Sequence, residues 1–171
     1  MQYLIKNYIP GEPIFTGDIQ IPGMTEENLR YHLKKYADSG TICRFEPGVY
    51  YFPKTGILGE KLSLSADTVA VHKYIMRRGR RVGYYSGYTL ANRMGLSVQV
   101  PYTQEISSNF APASVRKIMI KNRPYIIRRP VAEVTEENVL VLQFLDCLKD
   151  IEKSSEIELE TCGRILTEYA R

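Results

Sequence analysis

Apolar residues in the first 55 positions come in short runs separated by strong breakers. Gln2 to Ile9 is a brief apolar-periodic stretch that Pro10-Gly11 stops. Ile14-Phe15 lead into Thr16-Gly17-Asp18-Ile19, which predicts a short second helix with Thr16 as its N-cap, and Ile21-Pro22-Gly23 breaks it. Thr25 is placed to cap a third helix, with Glu26 and Glu27 in the first turn where the helix dipole favours acids. Leu29, Leu33, Tyr36 and Ala37 then recur at i, i+4, i+7 and i+8, the buried stripe of an amphipathic helix that Ser39-Gly40 ends. Thr41 to Phe45 and Val49 to Phe52 flank Glu46-Pro47-Gly48 and predict a β-hairpin, closed by Pro53.

Gly56 to Glu60 has the composition of a linker, so the pattern predicts an amino-terminal domain over residues 1–55 and a second over 61–171. In the second, Ser65 to Arg78 carries a helical pattern, interrupted by the basic turn Arg77-Arg78-Gly79-Arg80-Arg81. Tyr84 to Met94 predicts another helix, ended by Gly95. Val98-Gln99-Val100 and Glu105-Ile106 to Phe110 are strand-like, and Val115–Ile120 with Tyr125–Arg128 predict a second hairpin turning at Lys121-Asn122-Arg123-Pro124. Thr135-Glu136-Glu137-Asn138 precedes a helix whose Val139, Leu140, Leu142, Phe144, Leu145 and Leu148 are too apolar for a freely exposed element. A last helix is predicted from Glu156 to Tyr169, burying Ile157, Cys162, Ile165 and Leu166. The fold class that follows is α+β: a winged helix-turn-helix, then a mixed helix and β-hairpin domain.

Composition narrows the function more than the fold. Hydrophobic residues at 44% and charged residues at 25% describe an ordinary globular protein, and no run approaches the roughly 18 apolar residues of a membrane span. No signal peptide is visible at Met1-Gln2-Tyr3-Leu4-Ile5-Lys6, and Cys43, Cys147 and Cys162 form no C-x-x-C pair, which predicts a cytoplasmic protein with reduced thiols. The net charge of +4 conceals a strong asymmetry. His72 to Pro130 holds twelve Lys and Arg against the single acid Glu105, whereas Val131 to Arg171 holds ten acids against four bases. Such a split points to an anionic partner, or to an acidic tail that folds over the basic middle.

Helix, short helix, longer helix and hairpin follow the order of a winged helix-turn-helix, in which the third helix enters the major groove. With Leu29, Leu33, Tyr36 and Ala37 inward, Arg30 and Tyr31 are candidates for base edges, and Lys34 and Lys35 for phosphates. Arg44 and Lys54 flank the wing, and Arg77, Arg78, Arg80 and Arg81 add backbone contacts from the second domain. Tyr84, Tyr85 and Tyr88 are candidate stacking platforms for single-stranded nucleic acid, which opens an RNA-binding alternative on the basic segment 72–130. Catalysis has little to build on. Metal-dependent phosphoryl chemistry needs converging carboxylates, which the basic segment lacks, and only His32 and His72 are available as bases. Gly79, Gly83 and Gly87 are too widely spaced for a phosphate loop. No enzyme, cofactor or metal is expected.

The block Gly83-Tyr84-Tyr85-Ser86-Gly87-Tyr88-Thr89-Leu90-Ala91-Asn92-Arg93-Met94-Gly95-Leu96, with Val100-Pro101 and Glu105 to Asn109 after it, resembles the AbiEi-like antitoxins of type IV toxin–antitoxin systems. Gly40 to Arg44 and Pro47 to Pro53 are similar in kind to the amino-terminal domain of that family. The resemblance implies a repressor that binds inverted repeats in its own promoter as double-stranded DNA. It also implies a second domain that counteracts a nucleotidyltransferase-like toxin without a stable complex. A plain transcriptional regulator, whose second domain senses an effector or oligomerises, is the alternative that needs no toxin.

Overall fold

The computed structural model describes residues 1–112, 115–154 and 157–169, which form a mixed α+β protein. The chain divides into two compact units, Met1–Val69 and Ala70–Arg171.

In the first unit, helix α1 (Gln2–Asn7) leads through Pro10-Gly11 into strand β1 (Pro13–Phe15). The segment expected to be a second helix is a single 3-10 turn, Thr16–Asp18, capped by Phe15 rather than Thr16. Ile14 explains the difference: it belongs to β1, pairs with Tyr50 and is fully buried, so the chain is still extended where a helix would begin. Thr16 instead donates its hydroxyl to the Gly48 carbonyl at 3.3 Å. Helix α2 (Glu26–Asp38) starts as its sequence dictates, with the Thr25 hydroxyl accepting from the Asn28 amide at 3.3 Å. Leu33 is buried, with Leu29, Tyr36 and Ala37 packed beside it on a core of Leu4, Ile14, Ile19, Ile42 and Tyr50. Strands β2 (Cys43–Glu46) and β3 (Val49–Tyr51) form the expected hairpin, and β3 is central in a three-stranded sheet of order β1-β3-β2. Gly48, at φ +80°, supplies the left-handed turn residue. The Gly56–Glu60 stretch, read as a linker, is the loop of a short hairpin between β4 (Lys54–Thr55) and β5 (Lys61–Leu62). Lys61 ties that hairpin to the end of α2 by donating to the Gly40 carbonyl at 3.0 Å.

Helix α3 (Ala66–Tyr74) is shorter than its pattern suggested, because Met76–Arg77 (β6) and Arg80–Arg81 (β7) pair as a hairpin. The Tyr84–Met94 helix is also corrected. Gly83–Tyr85 is strand β8, and only Gly87–Arg93 is helical (α4). Strand pairing outweighs local propensity there: Gly83 lies so close to neighbouring backbone that an added methyl would overlap the Tyr74 carbonyl oxygen and sit 2.6 Å from that of Ser107. Val98 to Val100 form no strand and are exposed. Strands β9 (Gln104–Ser108), β10 (Arg116–Ile120) and β11 (Arg123–Arg128) complete a sheet of order β10-β11-β9-β8. β11 runs parallel to β9 and antiparallel to β10. Arg123 and Pro124, expected in the turn, are strand residues, which leaves Lys121-Asn122 as a two-residue loop.

Helix α5 begins at Val139, after a turn in which Asn138 accepts from the Thr135 amide, and runs to Ser154. Val139 and Leu142 pack with Tyr84 and Val134, while Leu140, Val141, Leu145 and Leu148 remain about half exposed. Helix α6 (Leu159–Tyr169) buries Cys162 and Leu166 against Leu90, Leu96 and Cys147; Glu156, expected to start it, lies outside the described residues. Among the described residues no helix is long and apolar enough to cross a membrane.

Candidate nucleic-acid interface

Helix α2 and the β2–β3 hairpin bound a concave groove of about 790 Å³. Arg30 and Lys34 enter it from the helix, one turn apart, and Arg44 enters it from β2. This brings together three basic residues from two segments, which is how a surface meets a curved row of phosphates. Pro47 and Gly48 form the lip at the hairpin turn, and Asp38 is the acid among the lining residues. The groove follows from α2 burying Leu33 inward: Arg30, Tyr31, Lys34 and Lys35 are left exposed on the remaining arc.

Not all of that arc is equally available. The Arg30 guanidinium bonds the Glu26 carboxylate at 3.0 Å, an i,i+4 pair with both side chains largely in water. Such a pair is weak enough to be exchanged for a phosphate. Glu26 had been read for its place in the first turn; its i,i+4 spacing from Arg30 was equally visible in the sequence. Tyr31 is 65% exposed and packs edge-on to His32, which stacks on Tyr36. Lys35 is exposed but does not line the groove, and neither does Lys54. Lys54 lies along Gly11, with its Cδ 2.7 Å and its Nζ 3.0 Å from where a Gly11 Cβ would stand. It therefore belongs to the α1–β1 loop side, away from the Pro47-Gly48 turn.

In the second unit, the basic turn is the β6–β7 hairpin, with Arg78 at φ +50° and Gly79 at φ +74° forming its loop. Arg78 and Arg80 are exposed, whereas Arg77 stacks over the Phe110 ring at 4.3 Å and Arg81 bonds Glu136 at 3.3 Å. The acidic segment thus answers one cation of this cluster directly. The proposed tyrosine platform is not assembled. Tyr84 is buried against Val134, Val139 and Leu142, the Tyr85 ring is covered by the Arg93 guanidinium at 3.8 Å, and only Tyr88 is exposed. Burial and the nearby Asp146 raise the Tyr84 phenol well above its ordinary range.

Glu105, the lone acid of the basic segment, is buried and paired with Arg128. Its carboxylate lies against Gly87, and its amide donates to Thr89 at 2.8 Å, so it serves as an internal counterion at the start of α4. Cys147 is buried, and its thiol is pushed up to about 11 by burial and by Asp146, which removes it as a nucleophile near neutral pH. Among the described residues no group of three or more His, Cys, Asp and Glu side chains is placed to hold a metal ion.

A protein family described as of unknown function (DUF6088) matches residues 2–168. No curated protein and no solved structure matches the chain.

Proposed function

The chain belongs to the DUF6088 family, and we propose that it is a DNA-binding transcriptional autoregulator and the antitoxin of a type IV toxin–antitoxin system. The first unit acts as a winged helix-turn-helix. Its order of α1, β1, a 3-10 turn, α2, β2 and β3, with β1 and β2 flanking β3, supports that reading, the 3-10 turn standing where the second helix would be. α2 is then the recognition helix and the β2–β3 hairpin the wing. The observation that carries the proposal is the groove in which Arg30, Lys34 and Arg44 share one concave surface.

In this reading Arg30 and Tyr31 contact base edges and Lys34, Lys35 and Arg44 contact phosphates, while Lys54 and the Arg77–Arg81 hairpin add backbone contacts outside the groove. The operator is an inverted repeat in the protein's own promoter. The second unit supplies the antitoxic function against a nucleotidyltransferase-like toxin, a role supported by the resemblance of Gly83 to Leu96 to AbiEi-like antitoxins. The protein is non-enzymatic and acts in the cytoplasm.

The test is binding to the protein's own upstream region against scrambled duplex of the same length and composition. Wild type should prefer the upstream region, and Arg30→Ala should lose about 1–3 kcal/mol of that preference while keeping most of its salt dependence. A wild type that binds both duplexes equally ends the autoregulator reading. Rescue of growth against the toxin encoded beside it separates an antitoxin from a plain regulator.

A further inference from the structure

Three stretches of basic residues, far apart in sequence, arrive at one end of the second unit's sheet. Strands β9 and β11 are parallel, so both finish at that end, with Arg128 of β11 opposite Ser107 and Arg129 immediately beyond. β10 is antiparallel to β11 and therefore starts there, with Arg116 opposite Ile127 and Lys117 next to it. β8 is antiparallel to β9 and also starts there, Gly83 opposite Ser108, and the Asn109 amide extends the pairing to the Val82 carbonyl. The β6–β7 hairpin precedes β8 by one residue and is pinned at the same end by Arg77 stacking on Phe110. The Arg77–Arg81 hairpin, Arg116 with Lys117, and Arg128 with Arg129 thus crowd eight cations at the carboxyl ends of β9 and β11. Glu105 answers Arg128 and Glu136 answers Arg81; Arg116, Lys117 and Arg129 are exposed.

We infer that this sheet end is a second, sequence-independent surface for the phosphate backbone of duplex DNA. The inference rests on the DNA-binding reading of the first unit and adds residues outside it. Crowded like charges work against the folded state, so their convergence from three stretches fits a polyanion that neutralises them on binding. Arg78 adds an independent sign. It holds φ +50° at the hairpin tip, a position that asparagine or glycine fills without strain, so a cation is kept there against local preference. Exposed charges of this kind act on an anion within about 10 Å at ordinary salt, which suits a rod of phosphates and gives no base discrimination.

The experiment is a salt titration of the full chain on scrambled duplex and on its own upstream region, comparing wild type with Arg116→Gln/Lys117→Gln/Arg129→Gln. Arg128 is left intact so that Glu105 keeps its partner. The triple variant should weaken on both duplexes and flatten the slope of log affinity against log salt by up to about 2.7, at about 0.9 per phosphate released. The ratio between the two duplexes should not change. Arg116→Lys/Arg129→Lys should restore the slope, which a purely structural role would not predict, and circular dichroism should show all variants folded. An unchanged slope overturns the inference, as does loss of binding to poly-glutamate with DNA binding intact, which would make the surface a site for acidic protein. If wild type shows no preference for its upstream region but the triple variant still flattens the slope, the autoregulator reading fails and this surface stands.

Discussion

The groove of the first unit and the sheet end of the second present positive charge in two different ways. The groove sets three cations beside an acid, a proline turn and an exposed tyrosine, on a helix whose Arg30 is already shared with Glu26. The sheet end gathers eight cations from three stretches, with Glu105 and Glu136 as ion-pair partners. Discrimination needs varied donors, acceptors and apolar edges at fixed places, and tolerates little excess charge, because charge holds every sequence equally. Affinity for a backbone needs charge and little else. The comparison teaches that the modest charge around α2 suits a reading surface, once a second region is available to do the holding.

That division can be broken first at the level of folding. Leu33→Ala, at the centre of the first unit's core, should cost about 2–5 kcal/mol and remove the groove. Gly83→Ala drives a methyl into the backbone of Tyr74 and Ser107 and should cost the second unit about 3 kcal/mol or more. Amide NMR spectra should show each substitution removing the dispersed peaks of its own unit. If either one collapses both sets, the two regions cannot be treated as separable surfaces.

A smaller effect should separate the units by pH. The Cys147 thiol is raised to about 11 by burial, against about 8.5 in an unfolded chain, and the Tyr84 phenol is raised as well. Between those values the folded state keeps a proton that the unfolded state has lost. Stability is therefore fully present below about pH 8.5 and declines as pH rises through 11. The thermal transition that Gly83→Ala abolishes should move down between pH 8 and pH 10.5, and Cys147→Ala should reduce that movement. An equal movement in Cys147→Ala would remove the thiol from the account.

The smallest effect sharpens the reading surface itself. Glu26→Gln frees Arg30 and removes an anion from the face of α2. Stability should change by no more than about 0.5 kcal/mol, as for other exposed i,i+4 pairs. Affinity for the upstream duplex should tighten by about two- to fivefold at low salt. Weaker binding would instead show that the pair orients Arg30 for its contact.

The local sequence determined the elements whose causes are local. Thr25 caps α2 through its own hydroxyl, the Leu29–Leu33–Tyr36–Ala37 stripe selects its buried face, and Pro47-Gly48 turns the hairpin. Tertiary structure decided whatever depended on a partner distant in the chain. Ile14 became a strand residue because Tyr50 pairs with it, which shortened the expected second helix to one turn. Tyr84 became a core residue because β8 pairs with β9 and α5 packs over it, although its neighbours Tyr85 and Tyr88 gave it a helical pattern. The basic segment was legible as charge from composition alone. Its convergence at one end of a sheet was not, because that depends on β11 running parallel to β9, a register fixed by side-chain packing across a fold rather than by any spacing along the chain.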